Sequence, residues 1–250
     1  MLRDGAVRLI EDLIKVRYNM NYEPIYESNE RFTAFPDPDE VFSTDFEKAM
    51  LLPLGIYRPS IGNNNEILLA APYGDEQGYI SNRNRGQHCG ETWLTYSKHD
   101  GKWRLDCSPD ELASFDIYKE DAIDAYSSRK EGFKNDGFIR NPRFVEGSEV
   151  IGADGQPIRE KITLFNLTTE YASSGENWFG GIEQYLPFKV LQDVDSHGFD
   201  LVMLLDESGF EYKYLGHVCA AKYAPKILFV DIHFFYSPFN RRVLLVHEFT

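Results

Sequence analysis

Apolar residues recur at three- and four-residue spacing near the N-terminus. Ala6, Leu9, Ile10, Leu13 and Ile14 share one side, and Arg8, Glu11, Asp12 and Lys15 take the other. That period predicts an amphipathic helix over 6–18, with Asp4 as its N-cap. Short apolar segments at 54–57 and 67–70 follow, punctuated by Pro and Gly, then a polar loop over 81–86. Alternation over 92–97, a turn at His99-Asp100-Gly101 and a return over 102–107 predict a hairpin, with Trp93, Trp103 and Leu105 pointing inward. Ser108-Pro109-Asp110-Glu111 carries helix-start chemistry. It predicts helix in pieces over about 109–134, with Leu112, Phe115, Tyr118, Ala122, Ile123 and Tyr126 as the apolar side.

From Gly137 onward the pattern changes to strands. Segments 149–151 and 158–167 flank a turn at Ala153-Asp154-Gly155-Gln156, and further strands are predicted at 188–192, 201–205, 210–215, 227–236 and 243–249. The last two form a hairpin around Ser237-Pro238-Phe239-Asn240-Arg241. Ile227-Leu228-Phe229-Val230 and Val243-Leu244-Leu245-Val246 are too apolar for a strand wet on one face, so both are expected to be central and covered. The fold class is α+β: a β-rich, mostly antiparallel sheet with an N-terminal helix and a helical segment near 109–134. The chain reads as one domain over 1–250, or two intimately packed subdomains with a soft boundary near 137–148.

Charge narrows the function classes. The 250 residues hold 26 Lys plus Arg against 40 Asp plus Glu, a net charge of -14, which disfavours binding to a phosphate backbone. Residues 1–50 carry 11 acidic against 6 basic side chains and residues 151–200 carry 8 against 3, whereas 201–250 balance at 5 and 5. No apolar run is long enough for a membrane span, and the N-terminus lacks the apolar core of a signal peptide. Cys89, Cys107 and Cys219 form no CxxC pair and no disulfide framework, so a reducing cytoplasm is the expected location.

Candidate chemistry is sparse. Gln87-His88-Cys89-Gly90-Glu91-Thr92-Trp93 is similar to the papain-type stretch in the order of its residues. Thr92, however, stands where the nucleophilic Cys belongs, so the segment reads as a strand entrance. Asp231, His233, His247 and Glu248 come together if the C-terminal strands pair. They lack metal-site spacing, and the consecutive His247 and Glu248 project to opposite faces. Asp193, Asp195 and Asp200 bracket Ser196-His197-Gly198 without the central Gly and terminal Glu of a calcium loop, which reads as a solvated turn. There is no phosphate-cradling Gly-rich loop and no GxSxG elbow. No catalytic residue, metal or cofactor is expected. Tyr18, Tyr22, Tyr26, Tyr73, Tyr79 and Tyr171 fall in loops or beside acids, a composition suited to an interface.

Asn177-Trp178-Phe179-Gly180-Gly181, Pro187, Lys189-Val190-Leu191-Gln192-Asp193-Val194-Asp195 and Val230-Asp231-Ile232-His233-Phe234-Phe235-Tyr236 resemble segments of the YwqG-like family of uncharacterised bacterial proteins, over residues 177–249. The resemblance implies a β-rich fold without established catalytic residues, bacterial origin, and kinship with acidic cytoplasmic immunity proteins that block a cognate toxin. The expected partner is therefore a basic protein, a nuclease-type toxin domain, rather than nucleic acid or membrane. Its expected docking residues are Asp37, Asp39, Glu40, Asp45, Glu47, Glu176, Glu183, Asp193 and Asp195. Two alternatives stand beside this reading. One is a hydrolase assembled from His88, Cys89, His217, Asp231 and His233; the other is a small-ligand or scaffold domain with an apolar pocket in the C-terminal sheet.

Overall fold

Val243, Leu244, Leu245 and Val246, the most apolar run near the C-terminus, lie in a strand whose side chains are withdrawn from water on both faces. The structure, a computed structural model, describes residues 22–59, 65–73, 79–81, 86–112, 119–141, 161–224 and 230–248. The helix expected over 6–18 with Asp4 as its cap lies outside those residues. So do the strand at 149–151, the Ala153-Asp154-Gly155-Gln156 turn, Tyr18, Phe115, Tyr118 and residues 227–229.

The N-terminal part supplies β1 (Glu23–Ile25), β2 (Phe32–Ala34), α1 (Pro38–Val41), α2 (Asp45–Met50), β3 (Leu51–Tyr57), β4 (Ile67–Pro72), β5 (Trp93–His99) and β6 (Lys102–Leu105). A 3-10 turn, Pro109–Glu111, precedes α3 (Lys119–Asp136). Then come β7 (Ile139–Arg140), β8 (Lys161–Ile162), β9 (Phe165–Leu167), β10 (Ala172–Ser173) and α4 (Asn177–Ile182). The chain closes with β11 (Phe188–Val194), β12 (Asp200–Leu205), β13 (Glu211–Cys219), β14 (Asp231–Ser237) and β15 (Arg242–Glu248). The described fold is β-rich with mostly antiparallel sheets and few helices, and it leans further toward β than the sequence implies.

The main sheet runs β1-β9-β13-β14-β15-β5-β6, and β12 joins β13 beside β9, carrying β10 and β11 outward. Strands from both sides of residues 137–148 share this sheet: β5 pairs β15, and β1 pairs β9. Because β15 is central, its two faces seed two cores. On one face Val243 and Leu245 join Ile232, Phe234, Leu94 and Tyr96 beneath a second sheet of order β2-β3-β4. The buried Tyr96 hydroxyl fastens the two layers, donating to the Leu68 carbonyl at 2.8 Å and accepting from the Ala70 amide at 3.1 Å. On the other face Leu244 and Val246 join Trp93 and Phe235 beneath Trp178, Phe179 and Ile182 of α4.

The β5–β6 hairpin closes on Asp100 and Gly101, both at positive φ, as a two-residue turn with right-handed twist requires. Trp93, Trp103 and Leu105 are buried, Trp93 on the α4 face and the other two on the opposite one. Ser108 and Glu111 do form a reciprocal cap, but it closes only the single 3-10 turn. In α3 Ala122 and Tyr126 are buried as expected, whereas Ile123 is 38% exposed. The helix has one narrow apolar line there, and Ile123 falls beside it.

β13 bulges between Tyr214 and Gly216, where β9 crosses close to it. Gly216 sits at φ +124, and a Cβ there would lie 1.9 Å from the Asn166 carbonyl oxygen. Gly216→Ala is therefore expected to cost about 2–3 kcal/mol of unfolding free energy in urea titrations. Gly132→Ala, in open space within α3, should gain about 0.5–1 kcal/mol. Equal effects at the two sites would refute the crossing constraint.

Candidate functional site

Two features stand out from this frame, an exposed strand and a buried polar centre, and α4 links them. Trp178, Phe179 and Ile182 anchor α4 on the sheet. Phe179 also meets Phe188, the first residue of β11, edge to face at 5.0 Å. Beyond that contact β11 pairs with β12 alone, and among the described residues its outer edge is unpaired. Val190 is 54% exposed, Val194 52% and Phe199, in the following turn, 50%. Exposed apolar groups along an unpaired strand edge are what folded proteins ordinarily suppress. Acids surround them: residues 176–211 hold eight acids and one base, Lys189.

The nine acids expected at an interface do not form one face. Asp37, Asp39, Glu40 and Asp45 are exposed beside β6. Asp39 is ion-paired with Lys48 at 2.5 Å, and its backbone carbonyl accepts from Lys102. Six strand spacings, about 29 Å along the sheet, separate β6 from β11. Glu47 is 2% exposed and leaves the set: its carboxylate caps α2 through the Thr44 amide at 2.9 Å and accepts from the Leu105 amide at 3.3 Å. Asp195 closes the β11–β12 turn, accepting from Ser173 Oγ at 2.6 Å and from the His197 and Phe199 amides at 2.8 and 3.0 Å. Burial opposes its ionisation, but these bonds hold its carboxyl below the ordinary value. Glu183 and Asp193 are exposed on the branch. Glu176 turns inward.

The buried centre lies where β14 and β15 pass under the start of α4. Nε2 of His233 is 2.7 Å from Glu248 Oε2, and its Nδ1 is 2.9 Å from the Tyr214 hydroxyl and 3.7 Å from Glu176 Oε2. Glu176 occupies the N-cap position of α4 without capping it, and its Oε2 instead accepts from the Trp178 indole at 2.6 Å. Burial, opposed by His233 and reinforced by Glu248, pushes the Glu176 carboxyl up. Trp178 stacks on His233 at 5.8 Å, and His217 stacks on it at 5.6 Å. Asn166 Nδ2 lies 3.0 Å from His217 Nε2, and the Tyr22 ring meets His217 edge-on at 4.7 Å.

Of the C-terminal set singled out in the sequence, His233 and Glu248 meet. His247 belongs to the opposite face, and Asp231, paired in register with Glu248, lies beside Cys219 and Lys222. Glu176, some 57 positions upstream of His233 by number, completes the group instead. Its one local signal is a Glu at a cap position, where Ser, Thr, Asp or Asn would bond better. One ligand atom from each of Glu176, His233 and Glu248 falls within 4.8 Å of the others, so these residues are the described group able to hold a metal ion.

The proposed hydrolase set divides. His88 Nδ1 lies 3.1 Å from Thr95 Oγ1, which donates to Asp106 at 2.7 Å. Cys89 is buried, and the groups acting on its thiol are Cys107, Ser81 and Glu111 rather than an imidazole. The Cys107 thiol lowers it first, against burial. His217 and His233 belong to the separate centre. A cleft of about 640 Å³ opens against β13, lined by Tyr57, Ile67, Tyr214 and Leu215 together with Arg31, Glu170, Glu211 and Lys213. No protein-family model, curated protein or solved structure matches the chain.

Burial, with His233 and Lys222 adding repulsion, pushes the His217 imidazole down to about 3. The unfolded chain binds that proton near pH 6.5 and the folded chain does not, so stability is present above about 6.5 and is lost as pH falls toward 3. Urea midpoints measured at about pH 7 and about pH 4.5 should differ less in His217→Gln than in the wild type. An unchanged difference would exclude His217 as the acid-labile group.

Proposed function

We propose that this chain is a cytoplasmic binding protein that neutralises a basic partner, a nuclease-type toxin domain, by docking it along β11. The apolar edge of β11, unpaired among the described residues and set among acids, carries the reading. An extended segment of the partner can add to the free strand edge through main-chain hydrogen bonds. Val190, Val194 and Phe199 supply apolar contact. Glu183, Asp193 and Asp200 attract a cationic surface and compete with the polyanion that such a partner would act on. The toxin assignment rests on the YwqG-like resemblance, which includes β11 itself. The N-terminal acids near β6 lie too far away to serve the same contact.

A photo-cross-linking amino acid at Val190, expressed in the source cell, should capture a basic protein in one-to-one ratio. With that protein purified, Glu183→Lys plus Asp193→Lys should slow association about tenfold and flatten its salt dependence, whereas Asp39→Lys plus Asp45→Lys should leave both unchanged. An acidic partner, or equal effects from the two pairs, would remove β11 as the docking edge.

A further inference from the structure

The centre beneath α4 buries two carboxylates and an imidazole in one place, away from the β11 edge. The ion partner that the described structure gives Glu176 and Glu248 is His233, and neither carboxylate faces an Arg or Lys in an ion pair. Side-chain exposure is 14% for Glu176, 7% for Glu248 and 2% for His233. Carboxylates withdrawn from water are stable only when a cation or a proton compensates them. One imidazole compensates at most one of the two.

Three observations go further than an acidic cluster. The group is mixed, two oxygen donors and one nitrogen donor, and its ligand atoms already converge within 4.8 Å. Glu176 forgoes the cap it could make and aims its carboxylate into the centre. The donors are also held from behind, as metal ligands ordinarily are: Trp178 Nε1 donates to Glu176, and the Tyr214 hydroxyl meets Nδ1 of His233. Tyr214 is itself steadied by the Tyr22 hydroxyl at 3.4 Å.

We propose that Glu176, His233 and Glu248 bind a divalent first-row transition ion, of the class that includes Zn²⁺ and Mn²⁺. The ion takes one oxygen from each carboxylate and a nitrogen lone pair from the neutral imidazole, replacing the 2.7 Å hydrogen bond between His233 and Glu248. Ligand bonds of about 2.0–2.2 Å require those two atoms to part by about 0.3–0.7 Å, and Glu176 Oε2, which lies 3.7 Å from Nδ1, to swing toward Nε2. An imidazole beside carboxylates favours Zn²⁺ or Mn²⁺ over Mg²⁺ and Ca²⁺, whose shells are built of oxygen. Such an ion neutralises both buried carboxylates and ties the start of α4 to β14 and β15.

The test uses the full chain, stripped with chelator and titrated with Zn²⁺, Mn²⁺ and Mg²⁺ while bound metal and the unfolding midpoint are followed. The expected result is one Zn²⁺ or Mn²⁺ per chain, a raised midpoint, and no response to Mg²⁺. Tyr214→Phe, which deletes only the supporting hydroxyl, should weaken binding by about 10- to 100-fold, and Glu176→Gln or Glu248→Gln should abolish it. Absence of binding in the folded wild type overturns the proposal, as does wild-type affinity in Glu176→Gln. If the Gln variants do not fold, Mn²⁺ relaxation in the wild type decides. Broadening of the Trp178 indole and His233 ring signals supports the site, and broadening confined to Asp193, Asp195 and Asp200 overturns it. Neither result depends on whether a partner docks at β11.

Discussion

Burial of β15 on both faces is the constraint from which the rest of the structure follows. A strand with four consecutive fully buried side chains cannot lie at an edge or face water, so layers must cover it from above and below. The β2-β3-β4 sheet covers one face and α4 with the β10–β12 branch covers the other. Each covering element is short. Both depend on a few large side chains: Phe32, stacked 6.4 Å from Phe165, on one side, and Trp178 on the other.

Covering a sheet this completely also traps polar groups, and the fold satisfies them in networks. Asp106 accepts from Thr95, Ser97 and Arg242, and Glu207 holds the far end of Arg242. These partners keep the Arg242 guanidinium charged against its burial. Asp206 ties two turns together, accepting from Ser237 Oγ at 2.9 Å and Asn240 Nδ2 at 2.7 Å. The Glu176–His233–Glu248 centre differs from both in the kind of partner: two buried carboxylates share one imidazole, with neither a guanidinium nor a set of hydroxyl and amide donors between them among the described residues. α4 stands between that centre and β11, with Trp178 against one and Phe179 against the other, so the two features share one short support.

Much of the architecture was legible because it is written in local periods. Asp100-Gly101 between alternating runs specified the β5–β6 hairpin, and the unbroken apolar run Val243-Leu244-Leu245-Val246 specified a covered central strand. The helix-start chemistry at Ser108-Pro109-Asp110-Glu111 matches a capped 3-10 turn, and α3 carries the helical pattern from Lys119. Ile123 shows the limit of the helical pattern, since its period matched the apolar side yet no described element buries it.

The sequence by itself determined the β-rich class, the β5–β6 and β14–β15 hairpins and the acidic character of residues 151–200. Which acids face solvent was decided only by tertiary structure. Glu47 and Asp45 are two residues apart and carry the same charge, yet one caps a helix inside the core and the other is exposed. Residues 188–192 read as a strand, and nothing in their order says that among the described residues its outer edge is unpaired. Glu176 joins His233 and Glu248 through α4 and the β14–β15 pairing, contacts spanning up to about 70 residues of chain. The reason is physical: periodicity and turn chemistry act between neighbours, whereas desolvation, strand pairing and the convergence of donors depend on what distant segments place alongside.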